Sequence, residues 1–346
     1  MALPRPAEAD TPTDVSGWRD GVLARVGDGA RFAGLYGSGD GEGVVLTALL
    51  VDVGGVDAPR VLLRPAQGGR LEYPALTPQL PAAFWYERAM HDLSGVVAVG
   101  HPRLDPLLLA VDGGARPRPG GGTVSALEVA QPDTPVDVAG DGLFTLPFGP
   151  VRSGVMETIE FLLETPGEDI PHLNIRPHYK HRGIAKAFEG RSIDDGVLVA
   201  ERVEGVSSVA HALAYSHAIE ALAGVTVSGR AGLLRVVHAE LERIANHLDV
   251  TMRLADAAGL AVATARFGHH KETVLRLVSA MCGNRFGRGV VVPGGVSARP
   301  TLAPHEIASR VAAMRSAAIS DVEALQRSAS FLDRLRGTGP LDAGMA

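Results

Sequence analysis

Glu240, Arg243 and His247 recur at three- and four-residue steps in the stretch AGLLRVVHAELERIANHLDV. That spacing puts side chains together on one face of a helix. Glu204 stands ahead of this helix, at the lead-in to an earlier apolar run. A carboxylate near a cation and an imidazole can hold or pass a proton, because each neighbour moves its protonation equilibrium. The plainer reading of Glu204 is an ion pair at a helix entrance. His172, His178 and His181 form a second group, at spacings compatible with a metal. No carboxylate joins them in a ligand pattern, so structural or surface histidines are the better reading. Cys282 is the single cysteine, too few for a disulfide framework or a thiolate-held soft metal. No Gly-x-Gly-x-x-Gly follows a strand, and no Ser/His/Asp or Walker pattern is present.

Residues 201–253 read as a short polar lead-in, a helix, a tight connection and a longer helix. Ser207 or Ser208 is expected to cap the first helix, since a hydroxyl accepts from an otherwise unpaired first-turn N–H. On the second, Leu234, Val237, Leu241, Ile244 and Leu248 make the apolar stripe. Residues 269–281 read as a further helix and 283–295 as a turn, a strand and a turn. A long helix starts at Pro304, with Ile307, Val311, Met314, Ala318, Val322 and Leu325 buried and Gly337 as its stop.

The N-terminal part reads differently. After a Pro-, Ala- and acid-rich tail expected to be disordered (1–14), a short helix covers 15–26. Strands follow at 31–36, 44–52 and 60–64, divided by glycine turns. Residues 81–95 read as an amphipathic helix stopped at Gly95. The Pro/Gly-rich run at 116–122 is the best linker, and 144–164 suggests strands of a small sheet. The fold class is therefore α+β: a small N-terminal α/β domain, a small β region and a helical bundle.

At 346 residues the chain suffices for two cores. The 46% hydrophobic content fits a well-buried globular protein, and 42 Gly and 23 Pro, scattered, mean many turns. A net charge of -6 argues against nucleic acid as a general partner. No apolar run reaches transmembrane length, and the N-terminus lacks the pattern of a signal peptide.

Two stretches carry a family resemblance. Glu87, Arg88, Asp92, Gly95, Gly100, His101, Pro102 and Leu104 closely resemble the signature of the C subunit of complex I, with Ala89 in place of a second glutamate. Farther on, the chain resembles the large subunit of group 4 nickel–iron hydrogenases (formate hydrogenlyase large subunit-like) and its relative, the D subunit of NADH-quinone oxidoreductase. The matching text is Pro147 to Gly154, the His-Arg-Gly at His181 to Gly183, the lead-in at 202–207, and Pro-Gly-Gly-Val at Pro293 to Val296. The order is that of a fused C/D protein, with a C-like domain at 15–115, a linker at 116–142 and a D-like domain at 143–346.

The resemblance implies a membrane-associated oxidoreductase complex concerned with electron transport, quinone and NADH. In the hydrogenases the lead-in reads Arg-x-Cys-Gly-x-Cys and holds two nickel thiolates. Here it is Arg202-Val203-Glu204-Gly205-Val206-Ser207, so Glu204 and Ser207 stand in the ligand positions. Gly205 stands where the relatives carry a quinone-binding tyrosine, and Arg152 where they carry their first histidine. No cofactor is expected in this chain, a nickel–iron centre is not expected, and the iron–sulfur cluster belongs to a partner. Full-length relatives continue with further helices and a second cysteine pair, so the helical part reads as C-terminally truncated.

The implied partners are a small iron–sulfur subunit (like the B subunit of complex I), integral antiporter-like membrane subunits and quinone, and the implied place is the cytoplasmic face of the cell membrane. Glu204, Arg243 and His247 are the catalytic candidates; Arg152, His181 and Arg182 are the cofactor-binding candidates. On the family scaffold the first three should converge near one end of the helix pair, and Glu204→Gln should then cost more stability than Glu242→Gln. Two roles stand: redox-coupled proton transfer without nickel, or a non-catalytic structural or assembly role.

Overall fold

A computed structural model describes residues 14–39, 43–65, 69–104, 107, 116–117, 123–124, 140–149, 159–176 and 181–341. The chain is mixed α+β and forms two compact units, Leu3–Arg182 and Gly183–Ala346. Most of the expected linker and nearly all of the expected N-terminal tail lie outside the described residues.

In the first unit, helix α1 (Val15–Gly27) starts at Asp14, whose carboxylate accepts from the Ser16 and Gly17 N–H groups. It presses Trp18 and Val22 into the core. Strand β2 (Val44–Asp52) is the centre of an antiparallel sheet with β1 (Arg31–Gly39), β3 (Gly55–Asp57) and β4 (Arg60–Leu63). Val44, Leu46, Ala48 and Leu50 are all fully buried, the period-two pattern of a strand with one covered face. Strand β5 (Leu71–Pro74), a 3-10 turn (Pro81–Ala83), helix α2 (Phe84–Ser94) and strand β6 (Val96–Val99) form a crossover between parallel strands. Gly95 ends α2 in the left-handed conformation (φ 70°), donating to the His91 carbonyl.

A two-residue ladder follows, β7 (Arg116–Pro117) with β8 (Thr123–Val124). The unit closes with an antiparallel sheet of β9 (Phe144–Phe148), β10 (Glu160–Thr165) and β11 (His172–Arg176). This sheet, expected as part of the D-like domain, falls within Leu3–Arg182.

The second unit is helical: α3 (Ile184–Phe188), α4 (Ile193–Ala200), α5 (Ser208–Ala223), α6 (Gly229–Ala257), α7 (Ala261–Cys282), α8 (Pro304–Gln326) and α9 (Ala329–Leu335). A two-stranded hairpin, β12 (Val291–Val292) with β13 (Gly295–Val296), sits between α7 and α8. The main core joins Leu241, Ala245 and Leu248 of α6 with Phe267, Val274 and Met281 of α7 and Met314 and Leu325 of α8. A smaller one joins Val197, Val209, Ala212 and Val291.

Two details differ from the sequence expectation. Helix α8 stops at Gln326 and a separate helix, α9, begins at Ala329, with Ser328 taking the N-cap position. The break lacks a Gly or Pro, and Ser328 is the one local signal that marks it. On α6, Leu234, Val237 and Ile244 are only half-buried, while Arg235, His238 and Asp249 are buried. Polar residues at core positions look like a solvent face to a hydrophobicity pattern.

Two of these buried groups, Arg235 and Asp249, are tied to partners. Arg235 makes a two-pronged ion pair with Glu220 and donates to the carbonyls of Gly295 and Val292, and Gly294 N donates to Glu220. Burial pulls the Glu220 carboxyl up, but Arg235 and the Gly294 N–H hold it below its ordinary value. The Pro-Gly-Gly-Val turn is thereby fastened to α5 and α6. Likewise Asp249 accepts from Lys271 at 2.6 Å and from Arg253 at 2.8 Å, and His270 meets Asp321 at 2.7 Å across α7 and α8.

Candidate functional site

The lead-in to α5 is held from beneath. Glu201 is buried, and its carboxylate accepts from the Gly289 N–H. Its carbonyl accepts from the Ser208 hydroxyl at 2.9 Å, and Arg288 donates to that hydroxyl at 3.1 Å. Ser207 takes the N-cap position of α5, but neither its hydroxyl nor that of Ser208 makes the capping bond. The Ser208 hydroxyl is engaged below the helix, and the cap comes from α6 instead. Glu242 accepts from Val209 N at 2.7 Å and Ala210 N at 2.9 Å. A carboxylate at a helix N-terminus meets unpaired N–H groups and the positive end of the helix dipole. Burial nevertheless pushes the Glu242 carboxyl up, against the pull of these two bonds.

Above this cap lies a cavity of about 310 Å³ between α5, α6 and α7. His238, Glu242 and Asn246 line it at successive four-residue steps of α6. Apolar side chains, among them Val209, Leu241, Leu275 and Phe286, make much of the remaining wall. His238 is 2% exposed, and its Nδ1 has no hydrogen-bond partner among the described residues. Burial holds that imidazole below its ordinary value, so it stays neutral at pH 7. Asn246 donates to the Val206 carbonyl at 2.9 Å. Gly287 (φ 65°) brings its loop so close that a Cβ there would stand 2.7 Å from a Val209 methyl.

The expected catalytic residues are placed otherwise. Glu204 is half-exposed and accepts from the adjacent Gly205 N–H at 3.0 Å. Arg243 is exposed and pairs with Glu240, three residues back, at 3.0 Å from Nε. His247 is exposed too. Among the described residues, no hydrogen bond or ion pair joins Glu204 to either of them. The geometry also reverses the expected order of Glu204 and Glu242, since Glu242 is the carboxylate engaged by another element. Glu242 is one residue off the Glu240/Arg243 face, on the stripe that starts at His238. That four-residue polar stripe was the available signal.

Of the cofactor-binding candidates, His181 and Arg182 are exposed and Arg152 lies outside the described residues. His178 also lies outside them, and the half-buried His172 contacts Asn174 at 3.3 Å. The Cys282 thiol donates to the Val278 carbonyl, and burial pushes it up, away from a reactive thiolate.

The first unit carries a different kind of cluster. Glu87 of α2 is fully buried and accepts from Tyr73 Oη (2.7 Å), Leu76 N (2.7 Å), Thr77 N (3.0 Å) and Thr77 Oγ1 (2.5 Å). Burial, and then Glu87 itself, push the Tyr73 phenol well above its usual value and keep it a donor. Arg88 lies over the rings of Phe84 and Trp85. Asp92 accepts from Leu107 N at 2.7 Å, and the His101 ring reaches the Phe84 carbonyl at 3.3 Å. Glu87, Asp92 and His101 of the 81–104 motif thus tie α2 to the strand and loops around it.

Residues 43–118, which contain these contacts, match the family described as respiratory-chain NADH dehydrogenase, 30 Kd subunit. The match lies within the first unit. Over a longer span the chain is similar to hydrogenase-4 component G of Escherichia coli, at 28% identity across 80% of this chain and 51% of that protein. Formate hydrogenlyase subunit 5 of the same organism is 29% identical over 80% of this chain and 50% of its own length. The C/D subunit of NADH-quinone oxidoreductase from Nitrosospira multiformis is 28% identical over 66% of this chain and 41% of its own length.

The chain spans about half the length of these curated relatives. A chain of the membrane-bound sulfane sulfur reductase, an archaeal respiratory membrane complex, has a similar fold, with a TM-score of 0.54 at 22% identity over 62% of this chain and 57% of that one. The chain thus combines a match to the 30 Kd-subunit family at 43–118 with similarity over most of its length to hydrogenase-4 component G and formate hydrogenlyase subunit 5. Among the described residues, no helix is long and apolar enough to cross a membrane.

Proposed function

We propose that this chain is a peripheral subunit of a membrane-associated complex related to NADH-quinone oxidoreductase and group 4 hydrogenases, with a scaffolding role. Along the sequence, its C-like part gives way to its D-like part across residues 116–142. Its partners are a small iron–sulfur subunit and antiporter-like integral membrane subunits, at the cytoplasmic face of the membrane. One observation carries the scaffolding role. The frame 202–207, which holds metal in the hydrogenases it resembles, offers a carboxylate and a hydroxyl where soft thiolates would be needed. Glu204 in that frame bonds its own neighbour, Gly205 N. Nickel and iron do not fit this donor set, and Gly205 has no hydroxyl to offer a quinone.

A second reading, redox-coupled proton transfer, draws support from Glu242, a carboxylate moved toward its protonated form beside a cavity. Affinity purification of the full chain from native membranes tests the proposal. The expected result is co-purification of an iron–sulfur subunit and integral membrane subunits, without nickel. Recovery of the chain alone, or with stoichiometric nickel, overturns it. Loss of quinone-linked turnover in a Glu242→Gln complex that still assembles would favour the second reading.

A further inference from the structure

The cavity between α5, α6 and α7 has features that a packing defect lacks. Its volume, about 310 Å³, stands at the small end of the range for ligand pockets and fits one compact ring system. An apolar void with no polar lining would stay dry and need no explanation. Here His238, Glu242 and Asn246 form a polar ladder along one helix, in a wall whose remaining charged residues are Lys271, Glu272 and Arg285. Buried polar groups in native proteins nearly always have partners, so His238, 2% exposed with an unpartnered Nδ1, calls for a cause.

The ladder also has a direction. Each Glu242 oxygen receives one backbone N–H, from Val209 or Ala210, and keeps a further lone pair. Asn246 spends an amide N–H on the Val206 carbonyl, and its Oδ1 accepts from no group among the described residues. The wall therefore offers mainly acceptors, and a matching ligand must donate. The cations at the rim are already matched: Lys271 by Asp249, and Arg285 by Glu272. An anionic guest would be buried without a counter-charge, and a cationic one would need Glu242 ionised against the burial that favours its neutral form.

We propose that this cavity binds an uncharged, mainly apolar molecule that bears a hydroxyl, with the ring in the apolar part and the O–H donating to the Glu242–Asn246 ladder. The inference is independent of membership in a respiratory complex. Its test uses the full chain and two probes of equal shape, 5-indanol and indane. By calorimetry and saturation-transfer NMR, 5-indanol should bind at sub-millimolar Kd and at least tenfold more tightly than indane. In the same titration the ring nitrogens of 15N-labelled His238 should shift. Ala245→Leu, which fills the cavity from α6, should weaken 5-indanol tenfold or more in protein with unchanged circular dichroism. Absence of 5-indanol binding, equal affinity for indane, or a binding event that leaves the His238 nitrogens unmoved would each overturn the proposal, and none of these three depends on the variant folding.

Discussion

Glu87 and Glu242 are carboxylates given the same task in the two units, and they carry it out in different surroundings. Each reaches from a helix to the backbone N–H groups of another segment: Glu87 to Leu76 and Thr77, Glu242 to Val209 and Ala210. Glu87 is closed in, with two hydroxyls completing its shell and no exposure. Among the described residues Glu242 has only its two N–H donors, and it opens on a cavity. A carboxylate with four donors is a finished structural joint. One with two donors and a cavity beside it keeps acceptor capacity for something else. The contrast places the first unit's motif with architecture and leaves the second unit's frame open to a ligand.

The contrast is broken most sharply at Glu87. In Glu87→Gln, an amide NH2 replaces one carboxylate oxygen and faces donors, leaving at least one buried donor without an acceptor. Each such orphan costs about 1–3 kcal/mol, so the expected loss is about 3 kcal/mol. Urea denaturation measures it. A loss below about 1 kcal/mol would show that water or a rearranged turn replaces the lost acceptor.

Glu242→Gln should cost less, about 1 kcal/mol, the usual worth of a helix cap. One oxygen still serves Val209 or Ala210, and the open side lets the amide turn toward the cavity. If the two variants cost the same, the cavity confers no freedom on Glu242 and the contrast fails.

This pair also marks what could be read from sequence. The apolar run at 44–51, set off by glycine turns, indicated β2, and Gly95 indicated the end of α2, because both signals are local. The stripe from Ile307 to Leu325 placed α8 correctly against the core. The cap on α5 was not legible, since Glu242 lies 33 residues from Val209 and competes with two nearer serines. The Glu220–Arg235 pair stayed hidden for a related reason: charges at core positions are credible only once a partner is in view. At the candidate site, the sequence pointed to the α5–α6 pair, which also lines the cavity, but favoured the face bearing Arg243 and His247, which is exposed.

The difference between the carboxylates should also show in pH dependence. Burial holds the Glu242 carboxyl above its ordinary 4.5. The folded state then binds this proton more tightly than the unfolded state does. The associated stability is fully present below 4.5 and is lost as pH rises through the folded value. The stability gap between wild type and Glu242→Gln should therefore narrow from acidic toward neutral pH. His238 has the opposite sign, because burial holds it below its ordinary 6.5. Its contribution is present above 6.5 and lost as pH falls through the folded value, so the gap to His238→Phe should narrow as pH falls. Thermal melts across pH 4–8 on the three proteins read both slopes. Parallel slopes would mean that one of the groups is solvated.

The smallest effect is expected at Glu204, the carboxylate in the old ligand frame. It is half-exposed, and its bond is to the N–H of the next residue. A glutamine carbonyl can accept the same bond, and water covers the rest. Removing one negative charge leaves no counter-ion stranded, because Arg243 is paired with Glu240. Exposed ion pairs and surface substitutions of this kind usually stay within about 0.5 kcal/mol. Glu204→Gln should therefore fall below Glu242→Gln in the same urea titration, although both remove one carboxylate charge. Parity between them would place Glu204 in an interaction stronger than its single bond. A Glu204 effect confined to the membrane-purified assembly, absent from the isolated chain, would instead put a partner's cation against this frame.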